Sequence, residues 1–203
     1  MESCIVNVYT DGACSNNGQK NAKAGIGVFF KENDPNNVSE RISGKQTNNT
    51  AELKAIIKAI EIIVAEGINN DSYVHIHTDS EYVLKCCSTY GSKLESVLWK
   101  RKKPIPNVEL VRKAYLLVKN TPRISLHYIA AHTGKLDKHS TGNDWADKLA
   151  NAAIGCTTCP YFPSSEKSSE GGKSDKSTTR IYIQLPYKDK EDGKKMGTRW
   201  DPR

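Results

Sequence analysis

The stretch Cys4-Ile5-Val6-Asn7-Val8-Tyr9-Thr10 reads as a β-strand that stops at the turn signal Asp11-Gly12, and the fold follows from what succeeds it. Gly25 to Phe30 and Val38 to Ile42 are two further strands behind Asn/Gly/Pro-rich breaks, so the chain opens as an antiparallel meander. A helix is predicted from near Thr50, because Leu53, Ile56, Ile57, Ile60 and Val64 recur at the 3.6-residue period, with Asn49 or Thr50 as N-cap. Tyr73 to Thr78 is a fourth strand and Ser80 to Cys87 a short helix. A second clear helix runs from Asn107 through Val111, Tyr115 and Val118, Ile124 to Ala131 is a fifth strand, and a last helix spans roughly Asp144 to Ile154. The order βββαβααβα predicts an α/β domain with a mixed sheet.

This reading places carboxylates together. Asp11 and Asp79 each follow a predicted strand, and the helix between them supplies the crossover that makes those strands parallel neighbours. Ligands of open α/β sheets bind at the carboxyl ends of strands, where both aspartates fall. Glu52 lies in the first turn of the intervening helix and Asp147 in the first turns of the last one, so each could face the same edge. Four crowded carboxylates repel one another unless a cation neutralises them, and an oxygen-only donor set favours Mg²⁺ or Mn²⁺ over zinc.

Four blocks carry a family resemblance: Tyr9-Thr10-Asp11-Gly12-Ala13-Cys14-Ser15-Asn16-Asn17-Gly18, Thr47-Asn48-Asn49-Thr50-Ala51-Glu52-Leu53, His77-Thr78-Asp79-Ser80-Glu81-Tyr82 and Gly142-Asn143-Asp144-Trp145-Ala146-Asp147-Lys148-Leu149-Ala150. In this order the chain resembles type 1 ribonuclease H over about residues 3–155. The resemblance implies the RNase H-like fold, a five-stranded mixed sheet flanked by helices. It also implies an endonuclease that cuts the RNA strand of an RNA/DNA hybrid by a two-metal-ion mechanism, leaving 5′-phosphate and 3′-hydroxyl ends. The metal-holding acids are then Asp11, Glu52, Asp79 and Asp147, around two Mg²⁺ ions for which Mn²⁺ can substitute. Asp144 is read as a helix N-terminal charge. His132, in Ala131-His132-Thr133-Gly134, matches the loop histidine that assists proton transfer or product release, with His139 in reserve. Cys14, Ser15, Asn16 and Asn17 form a polar loop beside Asp11 that suits the 2′-hydroxyl recognition only RNA permits, and by the same resemblance Asn17, Asn48 and Asn49 contact the hybrid near its hydroxyls and bases. Lys45, Thr47 and Asn107 match positions that grip a DNA phosphate. Tyr82 and Tyr90 lie along the DNA strand, near a basic segment, Gly91 to Lys103, in which the family's row of tryptophans is reduced to Trp99.

Composition agrees with this. Lys+Arg 30 against Asp+Glu 23 gives a net charge of +7 over 203 residues, which suits a polyanionic partner. No apolar stretch approaches the ~20 residues that a bilayer requires, and the first residues lack signal-peptide character, so a cytoplasmic, reducing location is expected. Six scattered cysteines do not resemble a secreted disulfide framework, and Cys156-Thr157-Thr158-Cys159 has no second ligand pair that would make it a zinc site. The chain divides into a catalytic domain at 1–157, a disordered Ser/Lys/Gly-rich linker at 158–179 and a short accessory segment at 180–203, a docking element for a protein or nucleic-acid partner. Nothing in the sequence demands more than a monomer.

Overall fold

A computed structural model describes residues 5–67, 72–131 and 137–156. The expected linker and accessory segment lie outside the described residues, as do His132 and Cys159. The elements are β1 (Ile5–Ser15), β2 (Lys23–Phe29), β3 (Val38–Arg41), α1 (Asn48–Ala65), β4 (Tyr73–Thr78), α2 (Glu81–Cys87), α3 (Thr89–Ser96), α4 (Val108–Asn120), β5 (Ile124–Tyr128) and α5 (Lys138–Ala153). They form a five-stranded sheet ordered β3-β2-β1-β4-β5. β1, β2 and β3 pair antiparallel, while β4 lies parallel to both β1 and β5. The mixed sheet and the α1 crossover therefore stand as expected.

Alternation along the strands sorts side chains to two faces. Val8, Val28, Val74, Ile76 and Ile124 point into one aliphatic core with Leu53, Ile56, Ile60 and Ile63 of α1, Val83 and Cys86 of α2, Leu94 of α3 and Val111 and Ala114 of α4. Among the described residues the other face is covered over β1 and β2 by α5, through Tyr9, Phe29 and Ala146, with Trp145 stacked on Phe29 at 5.7 Å. α5 rests nearly backbone to backbone on the sheet. A Cβ added at Gly27 would run into the Ala146 carbonyl, and one at Gly25 would stand 2.9 Å from the Ala150 carbonyl.

Several boundaries differ from the sequence reading. β1 does not stop at Asp11 but runs on to Ser15, because Gly12, Ala13, Cys14 and Ser15 pair with β2. Cys14 and Ser15 are thus strand residues, and the polar turn begins at Asn16, which has a positive φ of 52°. α1 is capped by Thr47, whose hydroxyl accepts from the Thr50 N–H, rather than by Asn49 or Thr50. β5 ends at Tyr128 rather than Ala131. The segment expected to be a basic protrusion contains α3, which buries Gly91 and Leu94. α5 starts six residues before Asp144, at Lys138, with Asp137 as N-cap accepting from the His139 and Ser140 N–H groups. Asp144 is accordingly mid-helix, and Asp147 lies in the third turn rather than at the start.

Candidate metal centre and nucleic-acid interface

Three carboxylates from separate elements meet at one point of the sheet. Asp11 is within β1, Glu52 is on α1, and Asp79 follows β4; their oxygens lie within 4.8 Å of one another. Parallel pairing of β1 and β4 brings the first and third together, since Tyr9 is level with His77 and each aspartate is two residues further on. Gly12 brings in the second. A Cβ there would strike the Glu52 backbone nitrogen, so only glycine lets the first turn of α1 settle on β1. Asp11 and Glu52 are 7% and 5% exposed, too little for water to screen their charges.

The fourth acid arrives from α5. Asp147 makes a side-chain hydrogen bond with Asp11, a contact in which one of the two carboxyls must carry a proton. Burial foremost, then the charges of Asp79 and Asp147, hold the Asp11 carboxyl well above the usual carboxylate range, against a lowering hydrogen bond from the Gly12 N–H. Burial, then Asp11 and Asp79, does the same to Glu52. Asp11 and Glu52, buried beside further carboxylates and held in their neutral forms, suit a hard divalent cation, which would neutralise the repulsion among these acids.

Two asparagines of α5 escaped the sequence reading. Asn143 donates through Nδ2 to Asp79 Oδ2 at 3.3 Å, and Asn151 donates to Asp147 Oδ1 at 2.7 Å. The signal was available, because residues 143, 147 and 151 are each one turn apart on one helix stripe. Asn143 is 2% exposed, and its Oδ1 is the one buried side-chain polar atom without a hydrogen-bond partner among the described residues. A buried carbonyl left unsatisfied beside these acids adds to the fit for a cation or its water shell.

The residues matched to the hybrid fall into two groups. In the first, Asn17 Oδ1 accepts from the Asn48 N–H at 3.4 Å and lies 3.8 Å from Cys14 Sγ, joining the β1–β2 turn to the start of α1. Ser15 is spent on the Lys23 carbonyl, while Asn49 and Lys45 are exposed beside the Thr47 cap. In the second, Tyr82 and Tyr90, together with Lys85, Cys86, Thr89 and Lys93, which the sequence reading did not match, line an open cavity of about 350 Å³ between α2 and α3. The Asn107 side chain hydrogen-bonds the Tyr82 hydroxyl, which burial pushes up to about 12. Arg101 stands 6.0 Å from the Tyr90 ring centre. Trp99 instead packs on Tyr115 with centroids 5.9 Å apart, so the surviving tryptophan anchors the segment while Lys100, Arg101, Lys102 and Lys103 remain exposed. His139, the reserve histidine, is held by the Tyr9 hydroxyl at 3.2 Å and lies against His77.

A family model described as RNase H matches residues 3–155, most of the chain. The chain belongs to the type 1 ribonuclease H family. It is 36% identical over 149 residues to the ribonuclease H of Ruthia magnifica subsp. Calyptogena magnifica, a match spanning 72% of this chain and 93% of that one. It is 38% identical over 146 residues to the ribonuclease H of Schizosaccharomyces pombe, covering 70% of this chain and 50% of the relative, so it spans half of that longer protein. Among solved structures, the foamy viral protease-reverse transcriptase in complex with RNA/DNA hybrid superposes with a TM-score of 0.59 at 22% identity, over 73% of this chain and 20% of that one, a likeness of fold. As a ribonuclease H, the chain is a hydrolase whose acidic cluster is compatible with metal binding.

Proposed function

We propose that this ribonuclease H is an endonuclease that hydrolyses the RNA strand of RNA/DNA hybrids with two divalent ions, Mg²⁺ or in its place Mn²⁺, leaving 5′-phosphate and 3′-hydroxyl ends. The observation that carries the reading is the convergence of Asp11, Glu52 and Asp79, with Asp147 hydrogen-bonded to Asp11. The ions would be held by these four acids and would stabilise the incoming and departing oxygens of the phosphodiester. The protein's share is geometry. Asn143 and Asn151 hold Asp79 and Asp147 in place, and Gly12 fixes the approach of Glu52 to β1.

The ridge of Asn17, Asn48 and Asn49 is suited to the RNA strand, because amides can both donate to and accept from 2′-hydroxyls. Lys45, Thr47 and Asn107 are assigned to DNA phosphate, and Tyr82 and Tyr90 to stacking or packing along the DNA strand. His132 is assigned the proton transfer. The catalytic domain at 1–157, a linker at 158–179, an accessory segment at 180–203 that meets a partner, a monomeric state and a cytoplasmic setting belong to the same proposal.

The decisive experiment incubates the chain and Mg²⁺ with end-labelled RNA/DNA, RNA/RNA and DNA/DNA duplexes. Cleavage confined to the RNA of the hybrid is expected, with new 5′ ends sensitive to phosphatase. Cutting of the DNA/DNA duplex, or binding without cleavage, would overturn the reading.

A further inference from the structure

Five histidines occur in the sequence, and four of them gather on the α5 side of the sheet, outside the carboxylate cluster. Alternation along β4 sends Val74 and Ile76 into the core and His75 and His77 to the opposite face, where parallel pairing sets His77 level with His127 of β5. Ring centroids are 4.3 Å apart for His75 and His127, 5.4 Å for His77 and His127, and 6.5 Å for His75 and His77. His139, at the start of α5, lies 4.5 Å from His77. α5 sits mainly over β1, β2 and β3, where Ser39 Oγ donates to the Leu149 carbonyl, and meets the histidines of β4 through its first turn. His75 and His127 are half-buried and reachable from solvent.

The hydrogen bonds prepare His77 to act as a ligand. Asn7 Oδ1 can only accept, so the His77 Nε2 at 2.9 Å from it carries the ring proton, and Nδ1 keeps its lone pair. A ring nitrogen donated to a carbonyl is how ligating histidines are oriented in metal sites. His127 Nε2 is likewise tied to Ser125 Oγ at 2.8 Å. An ion bound at about 2.0–2.1 Å from three imidazole nitrogens in tetrahedral geometry sets ring centroids about 5.2 Å apart. The three observed separations bracket that distance. The rings are stacked rather than converged; the group whose donor atoms already meet among the described residues is Asp11, Glu52 and Asp79. Binding would therefore turn the half-buried His75 and His127 rings about χ2.

We propose that His75, His77 and His127 form a second metal site, selective for a borderline transition ion such as Zn²⁺ or Cu²⁺ and distinct from the carboxylate site for Mg²⁺. Imidazole nitrogens favour these ions, whereas the all-oxygen cluster favours hard ones, so the two sites sort metals by donor chemistry. Burial first, then His75 and His139, lowers the His127 imidazole below its ordinary value, which keeps it a neutral ligand at pH 7.

The test titrates Zn²⁺ into the full chain at saturating Mg²⁺ by calorimetry. One zinc equivalent is expected, and its affinity falls at least tenfold in a His75→Gln/His127→Gln double variant that retains its circular dichroism. Unchanged zinc affinity in that variant overturns the proposal. Should the variant fail to fold, Co²⁺ bound to the unaltered chain decides the matter. A tetrahedral visible spectrum without thiolate charge-transfer bands, and an X-ray absorption shell with imidazole scattering, support the site. Thiolate bands point to the cysteines, an oxygen-only shell points to the carboxylates, and either one, or an absence of binding, overturns it.

Discussion

The two faces of this sheet are built on different chemistry. Under α1 to α4 the side chains are almost all aliphatic, and the burial of Leu53, Ile56, Ile60, Ile63, Val74 and Ile76 stabilises the fold at roughly 1.5–3 kcal/mol per side chain. Under α5 the same strands present Tyr9, Asp11, His75 and His77, and the helix answers with Gly142, Asn143, Ala146, Asp147 and Ala150. Alternate residues of one strand therefore serve opposite ends. Val8 holds the molecule together, while Asp11 three residues later sits in a charge cluster that works against folding. Repulsion on the α5 side is tolerable because the α1 side is so well packed.

Mutations at the two faces should separate activity from stability. The largest effect is expected from Asp11→Asn, which should lower hybrid cleavage by a thousandfold or more, about 4 kcal/mol of transition-state stabilisation, while hybrid binding is kept and the metal-free midpoint of unfolding stays level or rises. Single-turnover cleavage and thermal melts check both halves. Ile60→Ala, from the fully buried core of α1, should cost about 2–5 kcal/mol in a denaturant titration and leave kcat nearly unchanged below the transition. Gly27→Ala forces α5 off the sheet at the Ala146 carbonyl. It should cost about 1–3 kcal/mol and also weaken Mg²⁺ binding by displacing Asp147, a coupling that Ile60→Ala lacks.

The pH dependence divides the α5 face itself. Asp11 and Glu52 are held above their ordinary values, so the folded state binds more protons than the unfolded chain. Their contribution is fully present below the ordinary carboxylate values and is lost as pH rises through the folded ones. With a chelator present, Asp11→Asn should therefore gain on the unaltered chain as pH rises above about 4, and saturating Mg²⁺ should shrink that gain. His77 has the opposite sign. Burial, then His139, His127 and His75, depresses it from 6.5 to about 4, so its contribution is present above pH 6.5 and is lost as pH falls toward 4. The unaltered chain should lose ground to His77→Asn across that window in melts at matched pH. The smallest effect is expected of the exposed Lys113–Glu61 pair at 2.6 Å, where Lys113→Ala should shift stability by less than ~1 kcal/mol.

Much of this arrangement was legible in the chain. Periodicity located α1, and strand order with the crossover predicted parallel β1 and β4, which was enough to bring Asp11 and Asp79 together. What was illegible has physical causes. The turn propensity of Asp11-Gly12 suggested a strand end, but ladder pairing with β2 overrode it and carried β1 to Ser15. The start of α5 was read at Asp144 because Lys138 to Gly142 lacks an apolar stripe. Its cap is Asp137, and Gly142 packs on the Tyr9 ring through its lack of a side chain. α3 was hidden in a basic segment whose buried positions, Gly91 and Leu94, show little periodicity. The histidine group was invisible as a group because it depends on β4–β5 register, which pairs residues fifty positions apart.

The contact at Gly12 also bears on heat tolerance. Where a helix turn touches a strand main chain to main chain, the backbones that carry Glu52 and Asp11 separate only when the two segments part. Affinity for the ion should thus stay nearly flat on warming and then vanish within the same few degrees as the fold.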